Sequence, residues 1–353
     1  MKIGIMTFHW ATNYGAVLQA YCLQEYLREQ GHDVEIINYK LSRYDISLWN
    51  YFKHPSNWKR YKKYINLKRK ENLIESFRTE YLHCSKRYYS TSELQRANLD
   101  YDVLISGSDQ VLNASYTMYA ERKPCPAYFL GFGKSNVKRI GYAVSFGCTE
   151  YPISVVDTTK AWIDRIDYIG VREVTGLNIL QQLSYKNYCQ TVPDPTILFS
   201  RRLFESVGAP IPKNKDNYIC VYMLRNEITI NGNVRYIDET KSPISMQQWL
   251  TTISHAEFLI TNSYHGTIMA ILSHVPFAVL IEKGKDTGMN DRFYTLLEKI
   301  GMSHRIVSSL ADINTMRCNT IDWENIDAKI ADYMEIGRTF LREILQDNTK
   351  TVR

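Results

Sequence analysis

No two cysteines in this chain stand in a C-x-x-C arrangement. The seven that occur (Cys22, Cys84, Cys125, Cys148, Cys189, Cys220 and Cys318) lie far apart. An odd number at wide spacing argues against a disulfide framework and against a structural zinc site, so a reducing, cytoplasmic setting is expected. No uninterrupted apolar run reaches the roughly 18 residues of a membrane-spanning helix. The opening stretch Met1 to Phe8 is too short in apolar character for a signal peptide. Internal repeats, low-complexity tracts and metal-ligand spacings are also lacking, and no metal or cofactor is expected. What remains is ordinary globular material, 44% apolar and 23% charged. At 353 residues the chain exceeds the usual reach of one core, so two domains are expected. The net charge of +6 suits an anionic substrate or an anionic surface, and suits a solvated mixed surface equally well.

The apolar run Ile3 to Phe8 reads as a strand buried on both faces. A polar turn, His9 to Gly15, leads into a helix over Ala16 to Glu29, which Gly31 ends. Val34 to Asn38 is the next strand, completing a parallel βαβ unit of a doubly wound sheet. The same rhythm returns at Tyr101–Ser106, Arg139–Ser145, Tyr168–Val171 and Thr191–Val192. The prolines of Val192-Pro193-Asp194-Pro195-Thr196 and the stretch Gly208 to Pro212 mark a linker. A second set follows: strands at Tyr218–Leu224, Phe258–Thr261 and Phe277–Ile281, and helices at Gln247–His255, Gly266–Ser273 and Arg292–Ile300. The expected architecture is α/β, with two Rossmann-like domains facing across a cleft, 1–205 and 206–353.

Residues 43 to 90 interrupt this rhythm and read as a helical insertion in the first domain. Between Arg43 and Lys70 stand nine lysines or arginines, a single acid (Asp45) and seven aromatics: Tyr44, Trp49, Tyr51, Phe52, Trp58, Tyr61 and Tyr64. Such a segment suits peripheral contact with an anionic membrane surface. A solvated helical face with its aromatics turned inward fits the same pattern. Nucleic acid is not expected as a partner, because no binding module accompanies the charge.

In open parallel sheets ligands bind beyond the carboxyl ends of the strands, and the polar motifs sit there. Thr261-Asn262-Ser263-Tyr264-His265-Gly266-Thr267 joins a strand to a helix. The N–H groups about Gly266 can cradle an anion, and His265 can donate to it or pass a proton. A helix capped by Ser263 with a buried histidine beside it has the same pattern. Ser106-Gly107-Ser108-Asp109-Gln110 repeats the logic in the first domain, with an Asx turn as the plain alternative. Asn13-Tyr14-Gly15 follows the first strand without the G-x-G-x-x-G fingerprint or its acidic partner, so a dinucleotide is not expected. Arg172 follows a strand and suits carboxylate or phosphate, or a surface pair with Glu173. Arg292 opens a helix, where a cation opposes the helix dipole, just past Gly284 and Gly288.

Taken in order, these stretches resemble the polysaccharide pyruvyl transferase family. The resemblance runs from residue 3 to about residue 300. It includes Asn13 to Tyr21, Ser106 to Gln110, Gly141 to Gly147, Val171-Arg172-Glu173, Pro193 to Thr196 and Thr261 to Thr267. It implies a fold like that of the GT-B glycosyltransferases, with phosphoenolpyruvate as donor and a pyruvyl ketal on a sugar as product. It also implies His265 as the key catalytic residue, Asp109 in the site and Arg172 on the donor's anionic groups. The mechanism expected on this basis needs an acid, a base and cations. These are His265 and Asp109, in either assignment, and the N–H groups near Gly266 with Arg172 and Arg292. Asn13, Tyr14, Gln110, Ser263 and Tyr264 complete the expected substrate contacts. The acceptor would be a sugar, free or as a lipid-linked oligosaccharide at the inner face of the membrane. A GT-B glycosyltransferase using a nucleotide-sugar and a non-catalytic glycan-pathway binding protein are the alternatives. Only about twenty residues, Arg225 to Ile244, separate the second domain's first strand from its next helix, so one crossover there is expected to be trimmed.

Overall fold

The computed structural model of the protein describes residues 1–46, 58–118, 120–224, 227–281 and 290–347. Trp49, Tyr51, Phe52, Arg225, Gly284 and Gly288, which figure in the sequence reading, lie outside the described residues. Strands β1 (Lys2–Met6), β2 (Asp33–Ile36), β3 (Val103–Ser106), β4 (Lys138–Val144), β5 (Tyr168–Val171) and β6 (Cys189–Thr191) form a parallel sheet in the order β2-β1-β3-β4-β5-β6. The central strands are almost continuous runs of Ile, Val and Leu because both of their faces are covered. From β1 the chain goes to β2 on one side and then to β3 on the other. That reversal opens a crevice at the carboxyl ends of β1 and β3.

The second sheet repeats the plan. Strands β7 (Ile219–Tyr222), β8 (Val234–Tyr236), β9 (Phe258–Thr261), β10 (Phe277–Leu280) and β11 (Ile306–Val307) are parallel in the order β11-β10-β9-β7-β8. Here the reversal falls between β7 and β9. The β7–β8 connection holds no helix among its described residues, so the crossover is trimmed. The two Rossmann-like sheets expected from sequence are both present.

One helix welds them together. Tyr14–Glu29 begins two residues earlier than its apolar spacing predicts, because Asn13 caps it by accepting the Ala16 N–H at 3.0 Å. It is buried without a break from Tyr14 to Gln24. The first sheet covers one side of it, and the helices Pro195–Phe199 and Tyr264–Leu272 lie against it as well. A continuous apolar core therefore runs from Ile3 and Val17 through to Tyr218 and Trp249. Tyr14 stacks on Trp249 at 5.3 Å, and its hydroxyl donates to the Ile244 carbonyl at 2.6 Å. The last helix, Trp323–Gln346, follows the second sheet in the chain yet returns to the first. Phe340 lies 6.1 Å from Tyr142, and the Lys138 ammonium donates to the Ile344 carbonyl. The insertion's helix, Trp58–Tyr81, is anchored by its second half, where Ile74 and Phe77 are buried and Phe77 packs edge-on against Tyr21.

His9, in the turn after β1, is almost fully buried between the Thr7 carbonyl and the Asn38 side chain. Burial, opposed by those two contacts and aided by the charges of Arg78 and Lys40, lowers its pKa to about 4. The unfolded chain binds this proton near pH 6.5 and the folded chain does not. Stability therefore falls as pH drops from about 6.5 toward 4, by on the order of 3 kcal/mol from this group. Urea unfolding across that range should show the loss, and His9→Gln should flatten it. An unchanged slope in the variant would remove His9 as the source.

Candidate active site

The two crevices meet around a cavity of about 420 Å³. The first domain contributes Asn13 from the turn after β1, and Asp109 and Gln110 from the turn after β3. The second contributes Ser263, Tyr264 and His265 from the turn after β9, and Arg292 from the start of the helix Asp291–Lys299. Aromatic side chains, among them Trp10, Tyr44 and Tyr128, line the remainder. Tyr14, Gly266 and Arg172 do not line the cavity. Tyr14 is engaged at the domain seam. The Gly266 N–H is taken by the Ser263 hydroxyl at 3.2 Å, an N-cap that leaves it no free donor for an anion.

Arg172 lies behind the cavity with its side chain fully buried. Its guanidinium is 3.3 Å from Asp194, 3.6 Å from Asp109 and 3.6 Å from Glu173, and it sits over the Tyr264 ring at 4.8 Å. It therefore lies against the site's acids, while its Nε and Nη2 make no hydrogen bond among the described residues. Burial works against its charge, but Asp109, Glu173 and Asp194 outweigh that and raise its pKa further. Glu173 goes the other way: its burial outweighs Arg172 and raises its carboxyl above the usual range. Asp109 is presented to the cavity by a left-handed backbone, φ 79°. Ser145 N–H donates to its carbonyl at 2.9 Å, and Gln110 N–H to its own carboxylate at 2.9 Å. A strained backbone held in place by its neighbours is a common feature of functional sites.

The residue that sequence reasoning missed is Asp194. It is fully buried and caps the helix Pro195–Phe199 through one oxygen, which accepts from the Thr196 N–H and hydroxyl at 3.0 and 2.7 Å. The other oxygen faces three groups: the Ser108 hydroxyl at 2.9 Å, Arg172 at 3.3 Å and His265 Nε2 at 3.5 Å. Burial disfavours its charge, yet His265, Arg172 and the Thr196 N–H prevail and hold the carboxyl well below the usual range. The Asp-Pro pair signals a helix cap. Nothing local signals that the second oxygen meets a histidine from the other domain.

His265 thus crosses the cleft to a first-domain carboxylate. Its other edge rests on the first helix: a Cβ on Gly15 would lie 2.0 Å from His265 Nδ1. Only glycine permits this approach.

A family model described as polysaccharide pyruvyl transferase matches residues 13–283. The chain belongs to the polysaccharide pyruvyl transferase family. No curated protein matches it. Among solved structures, the UDP-GlcNAc 2-epimerase of Methanocaldococcus jannaschii in complex with UDP-GlcNAc and UDP is 11% identical. The match covers 97% of this chain and 100% of that one, with a TM-score of 0.46. The Neisseria meningitidis UDP-GlcNAc 2-epimerase bound to UDP-GlcNAc is 8% identical over 99% and 95% of the two chains, TM-score 0.45. An uncharacterised Klebsiella pneumoniae protein is 12% identical over 84% and 97%, TM-score 0.43. Likeness at this level adds nothing to what the two sheets show directly.

In this member of the pyruvyl transferase family two arginines line the cavity, Arg43 and, from the second domain, Arg292. Arg292 has no carboxylate partner among the described residues, and its Nε makes no hydrogen bond. It borders the Tyr264 ring at 5.6 Å, the same ring that Arg172 meets at 4.8 Å. Burial, then the charge of Arg172, lowers its pKa to about 10, which still leaves it charged near neutral pH.

The His265–Gly15 contact makes a specific prediction. Gly15→Ala should destabilise the protein by about 1–3 kcal/mol, the usual cost of overpacking. In a His265→Ala background the same change should cost clearly less, because the ring atoms are gone and only the Cβ of residue 265, 2.8 Å away, is left to strike. Urea unfolding of the two single variants and the double variant decides this. Additive effects would mean that the contact is not formed in solution.

Proposed function

We propose that the protein transfers a pyruvyl (1-carboxyethylidene) group from phosphoenolpyruvate to two hydroxyls of a sugar in polysaccharide or glycan biosynthesis, forming a ketal and releasing phosphate. The observation that carries this reading is the grouping in one cavity of His265 on a buried carboxylate, Asp109 beside Arg172, and Arg292, which has no carboxylate partner among the described residues. Family membership supports the reaction class. Among the described residues the cysteines form no disulfide, which suits a cytoplasmic enzyme.

The chemistry needs a proton on the donor's methylene carbon, and we assign its delivery to His265. Asp194 sits 3.5 Å from Nε2 and holds the ring in place while the imidazole passes a proton. With the methylene protonated, the adjacent carbon becomes oxocarbenium-like. A sugar hydroxyl adds to that carbon while its proton passes to Asp109. The bond from this carbon to the phosphate oxygen then breaks, and Asp109 returns its proton to the departing phosphate. A second hydroxyl closes the ketal and gives its proton back to His265. The methyl group has gained one proton and the phosphate another, both from the two hydroxyls, and both residues end as they began. Arg292 holds the donor's anionic groups, and Arg172 keeps Asp109 and Asp194 in place from behind.

Calorimetric titration of phosphoenolpyruvate tests the donor. The wild type should bind it in the micromolar to millimolar range. Arg292→Gln should weaken binding by about tenfold or more, as expected for a lost charge-assisted contact. His265→Ala should weaken it less, but should lower turnover by about 10²–10⁴. A folded wild type that ignores phosphoenolpyruvate and binds a nucleotide-sugar would overturn the reading in favour of glycosyl transfer. Binding of neither would leave a non-catalytic protein.

A further inference from the structure

The first half of the helix Trp58–Tyr81 is unlike the second. From Ile74 onward the helix packs on the first domain, whereas from Tyr61 to Arg69 no residue is buried. Within that half Asn66 donates to the carbonyls of Thr240 and Lys241 at 2.9 and 3.2 Å; Lys70 follows one turn later, paired with Glu239. With about 100° of rotation per residue, Lys68, Tyr61, Ile65, Arg69 and Lys62 fall within one arc of about 120° centred on Ile65, all of them exposed; Lys62 closes the arc on the Asn66 side, one turn before it. Tyr61 is 40% exposed and Ile65 is 45% exposed, one turn apart, flanked by the three cations.

Charge pairing separates this face from the rest of the helix. Among the described residues Lys62, Lys68 and Arg69 have no carboxylate partner, while Lys70 pairs with Glu239 and Arg78 with Glu71 and Glu75. No acid occurs in the sequence between Asp45 and Glu71. A solvated face normally intersperses the two signs; this one does not. An aromatic and an aliphatic side chain within a ring of unpaired cations is the composition that inserts shallowly into an anionic lipid surface.

We infer that the outward face of this half-helix, Lys62, Lys68 and Arg69 around Tyr61 and Ile65, docks the protein on an anionic membrane surface. The inference rests on the helix alone and stands whether or not the donor is phosphoenolpyruvate. The chain entering the insertion lines the cavity with Leu41, Arg43 and Tyr44, and Asn66 ties the helix to the second domain.

Sedimentation of the full chain with vesicles tests this, using phosphatidylcholine alone and a three-to-one mixture with phosphatidylglycerol. The wild type should pellet with the mixed vesicles only and should be released by high salt. Each cation replaced by glutamine should lower the partition coefficient about fivefold, so the triple variant K62Q/K68Q/R69Q should remain in the supernatant. Ile65→Ser should weaken binding without changing its salt dependence. Unchanged circular dichroism and thermal unfolding confirm that the variants fold, since all four positions lie outside the core. A wild type that stays in solution with mixed vesicles, or a triple variant that pellets like the wild type, would overturn the inference. So would tighter binding of a single-stranded RNA than of the vesicles.

Discussion

Asp194 has to remain ionised although no water reaches it, and much of the arrangement around the cleft serves that requirement. A buried carboxylate is tolerated only when its charge is matched and its lone pairs are used. One oxygen is satisfied locally by Thr196. The other depends on Ser108 after β3, Arg172 after β5 and His265 from the second domain. The same Arg172 also borders Asp109, so one buried cation is shared by Asp109 and by the carboxylate that faces His265. Removing Asp194 or Arg172 leaves an uncompensated charge in a medium of low dielectric, which typically costs several kcal/mol.

This charge cluster needs two domains held at a fixed separation, and the seam between them supplies it. The helix Tyr14–Glu29 is apolar enough to be buried along most of its length, and Tyr14 on Trp249 extends the core into the second domain. Gly15 then allows the His265 ring to come down onto the helix. The position just after Tyr14 thus links packing to chemistry. A side chain there would disturb both the seam and the distance from His265 to Asp194.

Much of this is legible in the linear chain. The apolar runs at β1, β3, β5, β9 and β10 announce two parallel sheets, and the polar residues that follow them fall at the switch points because such sheets bind ligands there. Asn13, Asp109, Gln110, Ser263, Tyr264, His265 and Arg292 all reach the one cavity. What is illegible depends on side-chain direction and on contacts between distant segments. Arg172 looks from sequence like an anion receptor, and only the fold shows three carboxylates already around it. The Gly266 N–H looks open until the Ser263 hydroxyl is seen to occupy it. Asp194 reads as a linker residue between two prolines, since its partner His265 is 71 positions away (265 less 194). The final helix follows the second sheet in sequence but carries an apolar face, including Tyr333, Phe340 and Ile344, that the first domain buries.

Pyruvyl transfer is tested most directly by following phosphoenolpyruvate and a set of glycan acceptors by phosphorus and proton magnetic resonance in the presence of the enzyme. The account predicts that inorganic phosphate appears together with a new ketal methyl signal on one acceptor, in equal amounts. It also predicts that Asp109→Asn, His265→Ala and Asp194→Asn each suppress both signals together. Phosphate release without a ketal methyl, or ketal formation that survives the loss of His265, would contradict it.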